Sequence, residues 1–420
     1  MGMHAVHKIL AYASGRSKVD PGEIVTAKVD IAGINDIYLT VLVSFYEMGG
    51  KKVWDSNKVV FFFDHNAPSS IIKASENQKE MRQFINEQGI ANLFDINDGI
   101  CHKVLPEAGL VKPGDIIVIT DSHTTTHGAF GAFGTGVGST DLAIIMMTGE
   151  LWFRVPQVVE IRLEGKLKKG VMAKDIVLYL LGELGTNFAP YKVIEFTGLI
   201  VENMKLDEKM VLCNMALEMG AKSTYIQPDD SVLEYIKSRA DKEFIVHETD
   251  PDFNYSGSHT FDISSLEPQV ALPHGVEKIK TVREVAGTSI NQVFIGSCTG
   301  GKLTDIMEAS EFLKGKKIAR HMRLIVTPAS KEVLLESIKR GYYETLLQAG
   351  AVFTPPGCGA CFGGHSGVLA SKERCASTSN RNFPGRMGNK DSEVYLVSPL
   401  TAAATALSGK LTHPLLDEKN

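Results

Sequence analysis

Short, continuous apolar runs alternate with longer stretches in which apolar residues recur at helical spacing, over most of this 420-residue chain. Gly114–Thr120, for example, has the unbroken apolar centre of a buried strand. Between residues 72 and 90, in contrast, Met81 and Phe84 fall on one face of a helix. Strands that alternate with helices in this way predict mainly parallel α/β sheets.

The same patterning predicts the remaining elements in three groups. Further strands are predicted at Ile24–Ile31, Lys58–Phe63, Val158–Leu163, Tyr191–Phe196, Gln292–Ile295, Leu324–Thr327, Ala351–Phe353 and Val394–Val397. Further helices are predicted near Ser139–Gly149, Ala173–Leu184, Met210–Met219, Val232–Ser238, Thr304–Leu313 and Lys331–Arg340. Loops are expected at Gly128–Gly138, Pro251–Gly257 and Pro268–Gly275. The groups predict three domains, at residues 1–156, 157–285 and 286–420.

The composition is that of a globular protein and argues against a nucleic-acid-binding or membrane-spanning one. Apolar residues make up 44% of the chain and charged residues 22%, as in ordinary globular proteins. A net charge of −5 provides no basic surface for nucleic acid, and no apolar run approaches the roughly 18 residues that span a bilayer. The N-terminal segment shows no signal-peptide core. We therefore expect a cytoplasmic protein with six reduced cysteines, and any cluster among them would indicate metal binding or catalysis.

Three cysteines in glycine-rich turns are the clearest candidates for chemistry. Cys358 and Cys361 lie in Pro-Pro-Gly-Cys-Gly-Ala-Cys-Phe-Gly-Gly, and Cys298 follows a predicted strand. A redox dithiol usually opens a helix without preceding prolines, and structural zinc requires four ligands. Three thiolates with one open coordination position suit an iron–sulfur cluster, which is favoured although the other two chemistries stay open.

Two glycine patterns resemble nucleotide-binding loops only in part. Gly296–Lys302 matches the spacing of a phosphate loop, but Leu303 stands where a magnesium-binding serine or threonine is required. The glycines Gly134, Gly136 and Gly138 are too closely spaced for a dinucleotide fingerprint. We expect these glycines to allow close packing instead.

Carboxylates stand beside imidazoles at the ends of two predicted strands. A carboxylate fixes the tautomer of its imidazole neighbour and raises its basicity, as proton transfer near neutral pH requires. One such pair is more often structural, but two pairs beside a candidate cluster predict acid–base chemistry. The residues concerned are Asp64-His65 and Asp121-Ser122-His123, with His102 in the same domain.

Other polar residues leave alternatives open. His123 and His127 could bind zinc from one helix face, although the intervening threonines are poor helix formers. Glu195 interrupts an apolar strand, so it is either paired or, as we expect, at a strand end facing a cleft. Arg381 and Arg386 suit bidentate binding of carboxylates, or else form a solvated basic loop. Together these residues describe an enzyme that acts on a di- or tricarboxylic hydroxy acid.

Four motifs in combination resemble the aconitase superfamily, most closely the large subunits of 3-isopropylmalate dehydratase and homoaconitase. They are Asp-Ser-His-Thr at 121–124, Gly-Ser-Cys-Thr at 296–299, Pro-Gly-Cys-Gly-Ala-Cys at 356–361 and Asn-Arg-Asn-Phe-Pro-Gly-Arg at 380–386. The resemblance runs from Lys8 to about Leu407. It implies a three-domain α/β fold with mainly parallel sheets, a cluster and cleft at the domain junction, and no swivelling fourth domain.

The resemblance also implies residue roles. The cluster ligands of a [4Fe-4S] centre with one open iron fall on Cys298, Cys358 and Cys361. The catalytic positions fall on Asp64, His65, His102, Asp121, His123 and Glu195. The substrate-binding positions fall on Asn35, Ser122, Asn380, Arg381 and Arg386.

The implied reaction is a dehydration and rehydration of a 2-hydroxy dicarboxylic acid, as in leucine biosynthesis. The family's catalytic serine lies in a Gly-Ser-Ser-Arg-type loop, which this chain lacks, so a separate small subunit is expected to supply it. Asn35, Thr125, Gly300 and Lys302 depart from the usual pattern and are expected to alter the cleft lining. Homoaconitase, a methylmalate or 2,3-dimethylmalate dehydratase, and a non-catalytic iron or redox sensor remain as alternatives. No nucleic acid or membrane partner is expected.

Overall fold

The computed structural model describes residues 2–240 and 243–415, and it confirms an α/β fold with mainly parallel sheets. The first part of the chain contains α1 Ala5–Ala13, β1 Ile24–Lys28, β2 Ile31–Asn35, α2 Thr40–Glu47, β3 Val59–Phe62, α3 Ile72–Gln88, β4 Asn92–Phe94, α4 Cys101–Glu107, β5 Ile116–Ile119, β6 Phe133–Gly136, α5 Ser139–Thr148 and β7 Glu150–Arg154. A 3-10 helix at Ser122–Phe130 follows β5.

The first part forms a parallel sheet in the order β4-β3-β2-β5-β6, beside an antiparallel pair of β1 and β7. Every residue of β3 and β5 is buried, as expected for central strands covered on both faces. The carboxyl ends of β2, β3 and β5 therefore lie side by side at one edge of this sheet.

The middle part forms a second parallel sheet in the order β10-β9-β8-β11. Its elements are β8 Val158–Glu164, α6 Ala173–Leu184, β9 Val193–Thr197, α7 Leu199–Glu202, α8 Leu206–Met215, β10 Ser223–Tyr225, α9 Asp230–Lys237 and β11 Ser258–Asp262. A 3-10 helix at Ala216–Met219 continues α8 and completes the predicted helix Met210–Met219.

The last part forms a sheet in the order β13-β12-β18-β17-β14-β15-β16. Its elements are β12 Gln269–Ala271, β13 Ile279–Thr281, β14 Gln292–Ile295, α10 Leu303–Leu313, β15 Arg323–Val326, α11 Lys331–Lys339, α12 Tyr342–Ala349, β16 Ala351–Phe353, β17 Arg374–Ser377, β18 Glu393–Val397 and α13 Pro399–Ser408. Short 3-10 helices lie at Val282–Val285 and Gly359–Phe362. Strands β14 to β18 pair in parallel, whereas β12 is antiparallel to β13 and β18.

Three segments differ from the sequence predictions. The predicted strand Ile24–Ile31 is divided, because the chain turns after Lys28 from antiparallel pairing with β7 to parallel pairing with β3 and β5. The predicted turn Pro268–Gly275 contains β12, so the last sheet begins before residue 286. The predicted loop Gly128–Gly138 contains β6 instead.

The glycines of β6 confirm the expected close packing. A side-chain carbon at Gly134 would collide with the carbonyl oxygen of Thr124, and one at Gly136 would lie 2.7 Å from that of Asp121. The 3-10 helix can therefore pack directly on β6.

One cluster of buried apolar residues contains members of all three parts of the chain. Ile119, Ile176 and Phe294, one from each part, belong to the same hydrophobic cluster. Within residues 2–240 and 243–415, no helix combines the length and apolar character needed to cross a bilayer.

Candidate active site

Polar side chains follow the three central strands of the first sheet. Asn35 ends β2, Asp64 and His65 follow β3, and Asp121 follows β5. The carboxyl ends of parallel strands are the usual place for ligand binding in α/β folds. Hydrogen bonds join Asn35 to Asp64 and Asp64 to His65, and Nε2 of His65 lies 4.0 Å from a carboxylate oxygen of Asp121, so the sheet edge forms one polar site.

Asp64 and His65 form a buried pair. Nδ1 of His65 lies 2.7 Å from Oδ1 of Asp64, which fixes the imidazole with Nε2 free of this carboxylate. Burial lowers the pKa of His65, but the carboxylates of Asp64, Asp36 and Asp121 outweigh it and raise the pKa to about 9. His65 is therefore a proton donor at neutral pH.

Asn35 holds Asp64 in place. Its amide nitrogen donates to both carboxylate oxygens of Asp64 at 3.1 Å, and the hydroxyl of Thr120 donates to its amide oxygen at 2.9 Å. The backbone N–H of Cys101 adds a third donor to Asp64 at 3.0 Å. Asn35 is fully buried, and its side chain contacts Asp64 and Thr120; the substrate-binding role implied by the resemblance stays a prediction.

Asp121 lies between two imidazoles. Its Oδ1 is 3.1 Å from Nε2 of His102 and 3.4 Å from Nδ1 of His123, and it accepts the backbone N–H of His123 at 2.7 Å. Burial raises the pKa of Asp121, but these partners outweigh it and hold the pKa well below its usual range. Nε2 of His65 is 4.0 Å from the other carboxylate oxygen, so all three imidazoles surround one carboxylate.

A second carboxylate, Glu218 from the 3-10 helix after α8, contacts the other nitrogen of His123. Its Oε1 lies 3.0 Å from Nε2 of His123 and accepts from Nε of Arg381 at 2.7 Å. Burial raises the pKa of Glu218, but these two partners lower it below its usual value. Nη2 of Arg381 also reaches the hydroxyl of Ser122 at 3.3 Å. Sequence patterning did not identify Glu218.

Glu195 does not face the cleft, contrary to the sequence expectation. It is buried in β9, where its Oε2 lies 3.0 Å from Nε2 of His4 and accepts the hydroxyl of Tyr255. The strand is buried along most of its length, so the carboxylate is stabilised by these two partners rather than by solvent.

The three cysteines in glycine-rich turns meet beside these acid–base groups. Cys298 follows β14, and Cys358 and Cys361 follow β16, so all three come from the carboxyl ends of strands in the last sheet. Asn380 links two of them: its Nδ2 lies 3.4 Å from Sγ of Cys298, and its Oδ1 lies 3.6 Å from Sγ of Cys361. Sγ of Cys358 lies within 4.8 Å of ligand atoms of Asp64 and His65.

The chemistry of this site fits a metal–thiolate centre. Burial raises the pKa of Cys298 to about 12 and that of Cys358 well above its usual value, and neighbouring negative charges add to both shifts. Free thiolates would therefore be unfavourable here, whereas a bound metal cation stabilises the deprotonated form of a thiol. The donors present are soft sulfur ligands, which suit iron–sulfur clusters.

The turns around the cysteines leave no room for side chains. Gly359 has φ +56°, and a side-chain carbon there would lie 2.6 Å from the hydroxyl of Thr327. A side chain at Gly357 would meet the carbonyl oxygen of Asp64 at 2.8 Å. The backbone N–H of Cys358 donates to that same oxygen at 2.8 Å, so the cysteine turn is attached directly to the Asp64–His65 pair.

Arg386 places a guanidinium group beside the thiol of Cys361. Its Nη2 lies 3.7 Å from Sγ of Cys361, while its buried Nε has no hydrogen-bond partner among the described residues. The side chains of Asp121 and Arg381 are 17% and 24% exposed, so the site opens to solvent on this side.

The alternative interpretation of His123 and His127 as a zinc-binding pair can be compared with their contacts. His123 and His127 do not converge as a zinc pair, because His123 contacts Asp121 and Glu218 while His127 packs against the ring of His102 at 5.6 Å.

Three of the departures from the family pattern are at buried positions. Lys302 is buried and paired with Asp305 at 2.9 Å, and a side chain at Gly300 would collide with Thr378. Thr125 is also buried, with its hydroxyl 3.5 Å from the carbonyl oxygen of Asn214.

Comparisons with known proteins agree with this arrangement. Residues 8–288 and 276–409 match the Aconitase family (aconitate hydratase). The 3-isopropylmalate dehydratase large subunit 1 of Methanopyrus kandleri is 51% identical over 415 residues, 99% of both chains. The probable methanogen homoaconitase large subunit of Methanothermobacter thermautotrophicus is 44% identical over 423 residues, 100% of this chain and 99% of the relative.

A solved structure supports the fold alone. The crystal structure of Thermococcus kodakaraensis aconitase X in its holo-form has 15% sequence identity and a TM-score of 0.50, covering 90% of this chain and 88% of that one. The family match covers nearly the whole chain, and both relatives exceed 40% identity over nearly their full length. This chain therefore belongs to the aconitase family.

Proposed function

We propose that this protein is the iron–sulfur large subunit of a hydro-lyase that isomerises a 2-hydroxy dicarboxylic acid, and that it acts as a 3-isopropylmalate dehydratase. The observation that carries the proposal is the meeting of Cys298, Cys358 and Cys361 with the imidazoles around Asp121. Family membership implies a [4Fe-4S] cluster, and the relative of highest quoted identity is named as a 3-isopropylmalate dehydratase large subunit.

The three cysteines would hold the cluster through three of its irons. Bound there, the cluster supplies a Lewis acid that weakens the bond between carbon and a departing hydroxyl group. Asn214 and Asn380 support the thiolates, since their amide nitrogens lie 3.2 and 3.4 Å from Sγ of Cys298.

Proton transfer is assigned to the two carboxylate–imidazole groups. In dehydration, the hydroxyl leaves as water after it accepts a proton from Nε2 of His65, which Asp64 keeps protonated. His102, Asp121 and His123 hold that water, and Glu218 takes the position beside His123 that the resemblance gave to Glu195. In hydration, the water held by these groups adds to the substrate as hydroxide and gives its proton back to Nε2 of His65.

The arginines bind the carboxylates of the substrate. Nε of Arg381 is occupied by Glu218, which leaves its terminal nitrogens to meet a carboxylate beside Ser122. Arg386 offers a second guanidinium beside the thiols. Two cationic clamps on either side of the acid–base groups match the two carboxylates of a dicarboxylic acid.

The carbon-bound proton is removed by a residue of a partner chain. We assign this step to a serine of a separate small subunit, consistent with the large-subunit names of the relatives.

The six cysteines are all free thiols, which fits a reducing, cytoplasmic setting.

Anaerobic reconstitution with iron and sulfide tests the ligand assignment. Wild-type protein is expected to gain cluster absorbance and bound iron, and Cys358→Ser is expected to lose most of both. Cys375→Ser is the matched control, because Cys375 is buried in β17 away from the site. Undiminished iron and sulfide in Cys358→Ser would contradict the assignment.

Activity requires the complex with the small subunit. We expect the co-expressed pair to isomerise 3-isopropylmalate in preference to homocitrate-type, citramalate and 2,3-dimethylmalate substrates. Preference for a homocitrate-type substrate would favour the homoaconitase alternative, in line with the second relative. Conversion of none of these acids would favour the iron or redox sensor.

A further inference from the structure

A fully buried lysine lies behind the cysteine site. Lys174, at the start of α6, is only 1% exposed. Its ammonium group donates to the carbonyl oxygen of Ser379 at 2.6 Å, and to the carbonyl oxygen of Thr378 and the hydroxyl of Thr299 at 3.2 Å. These residues adjoin Cys298 and Asn380, so the lysine sits directly beneath the loops that carry the thiols.

All the hydrogen-bond partners recorded for Lys174 are neutral. Within the described part of the chain, no carboxylate accepts a hydrogen bond from it, and the nearby Asp305 is already paired with Lys302 at 2.9 Å. A buried charge without a counter-ion is strongly unfavourable, and natural proteins rarely retain one unless it is used. The unpaired ammonium therefore indicates a negative group that the polypeptide alone does not supply.

The charges that act on Lys174 identify that group. Burial lowers the pKa of Lys174 to about 7, and the negative charges of Cys298 and Cys361 oppose that shift. Three thiolates that hold a cluster would place net negative charge in the same position. A fixed positive charge nearby stabilises the reduced, more negative state of an iron–sulfur cluster and makes its reduction potential less negative.

We infer that Lys174 is the counter-charge of the three-thiolate site and a positioning residue for the proposed cluster. It acts through its charge on the thiolates and through its bonds to the loops at Thr299 and Ser379. The inference rests on the ligand set of the proposed function.

Two substitutions separate charge from hydrogen bonding. Lys174→Met removes both, whereas Lys174→Gln removes the charge and keeps an N–H donor. Lys209→Met is the matched control, because Lys209 is also 1% exposed but is paired with Asp229 in the middle part of the chain. The reduction potential of each anaerobically reconstituted full-length protein is measured by redox titration followed by electron paramagnetic resonance.

The counter-charge predicts a more negative reduction potential in both Lys174 variants and an unchanged potential in Lys209→Met. The melting temperature of each metal-free variant is measured beside the potential, to show that the variant folds. If neither Lys174 variant retains the cluster but both metal-free forms melt normally, the charge is needed for assembly and the inference holds.

Three outcomes would overturn the inference. An unchanged potential in both Lys174 variants would show that the charge does not act on the cluster. Lower melting temperatures of the metal-free Lys174 variants together with an unchanged potential would show a purely structural clamp. Absence of a cluster in the wild-type protein would overturn the proposed ligand set together with the inference, whereas the first two outcomes leave that ligand set intact.

Discussion

Glu218 and Glu195 offer a direct test of how the site is assigned. The two carboxylates are matched: each side chain is 6% exposed, and each lies 3.0 Å from Nε2 of a buried histidine, His123 or His4. Only Glu218 also bonds Arg381 and stands beside Asp121. The structure therefore predicts that Glu218→Gln impairs catalysis and that Glu195→Gln does not.

The size of the effect follows from the two hydrogen bonds of Glu218. Bonds to a charged group contribute roughly 1.5–3 kcal/mol each, against about 1 kcal/mol for neutral bonds. Glutamine keeps an acceptor oxygen but loses the charge, so the two bonds together lose about 2–3 kcal/mol. If this loss is expressed in the transition state, kcat/KM falls about 30- to 160-fold.

The assay is the steady-state rate of the complex with the small subunit, measured beside the melting temperature of each variant. Both substitutions should lower the melting temperature, because each weakens a buried carboxylate–imidazole pair. Only Glu218→Gln should lower kcat/KM. Full activity in Glu218→Gln, or an equal loss in Glu195→Gln, would refute the assignment.

Two further predictions concern the Asp64–His65 pair. The folded-state pKa of His65, about 9, exceeds the unfolded value near 6.5, so its contribution to stability is complete below pH 6.5 and is lost as pH rises through 9. Between pH 6 and 9.5, the free energy of unfolding in urea should therefore fall by up to about 3 kcal/mol more for the wild-type chain than for His65→Gln. Equal pH dependence of the unfolding free energy in the two proteins would contradict this. Asn35→Leu, which keeps the branched outline of the side chain but is larger, should remove both hydrogen bonds from Asn35 to Asp64, destabilise the chain by about 1–3 kcal/mol and lower activity of the complex. Thr120→Val should act in the same direction but more weakly, and an Asn35→Leu variant with wild-type activity would refute the positioning role.

The cysteines and the Asp64–His65 pair could be found from the sequence because their signals are local. Cys358 and Cys361 stand in a turn of glycines and prolines that is unlike a helix or strand interior, and Asp64 directly follows the apolar run Val59–Phe63. The strand Gln292–Ile295, which positions Cys298, has the predicted bounds. Where function is encoded within a few consecutive residues, patterning is sufficient.

Glu218 and Lys174 were missed because their roles depend on partners distant in sequence. Glu218 acts on His123 and Arg381, which are 95 and 163 residues away. A signal was nevertheless present: Asn214 and Glu218 are four residues apart in an apolar helical stretch and share one face. The argument that singled out Glu195, a charge within an apolar run, applied equally to Glu218. Burial alone could not decide between them.

Hydrogen bonds between the three parts of the chain pass through the candidate site. The backbone N–H of Cys358 bonds the carbonyl oxygen of Asp64, and Nε of Arg381 bonds Glu218. Lys174 ties α6 to the loop after β17. A group that binds the native cysteines stabilises the fold by mass action, and that stabilisation acts on these same contacts. Loss of the bound group should therefore weaken the packing between the parts before it unfolds any single sheet, because each sheet retains its own buried strands.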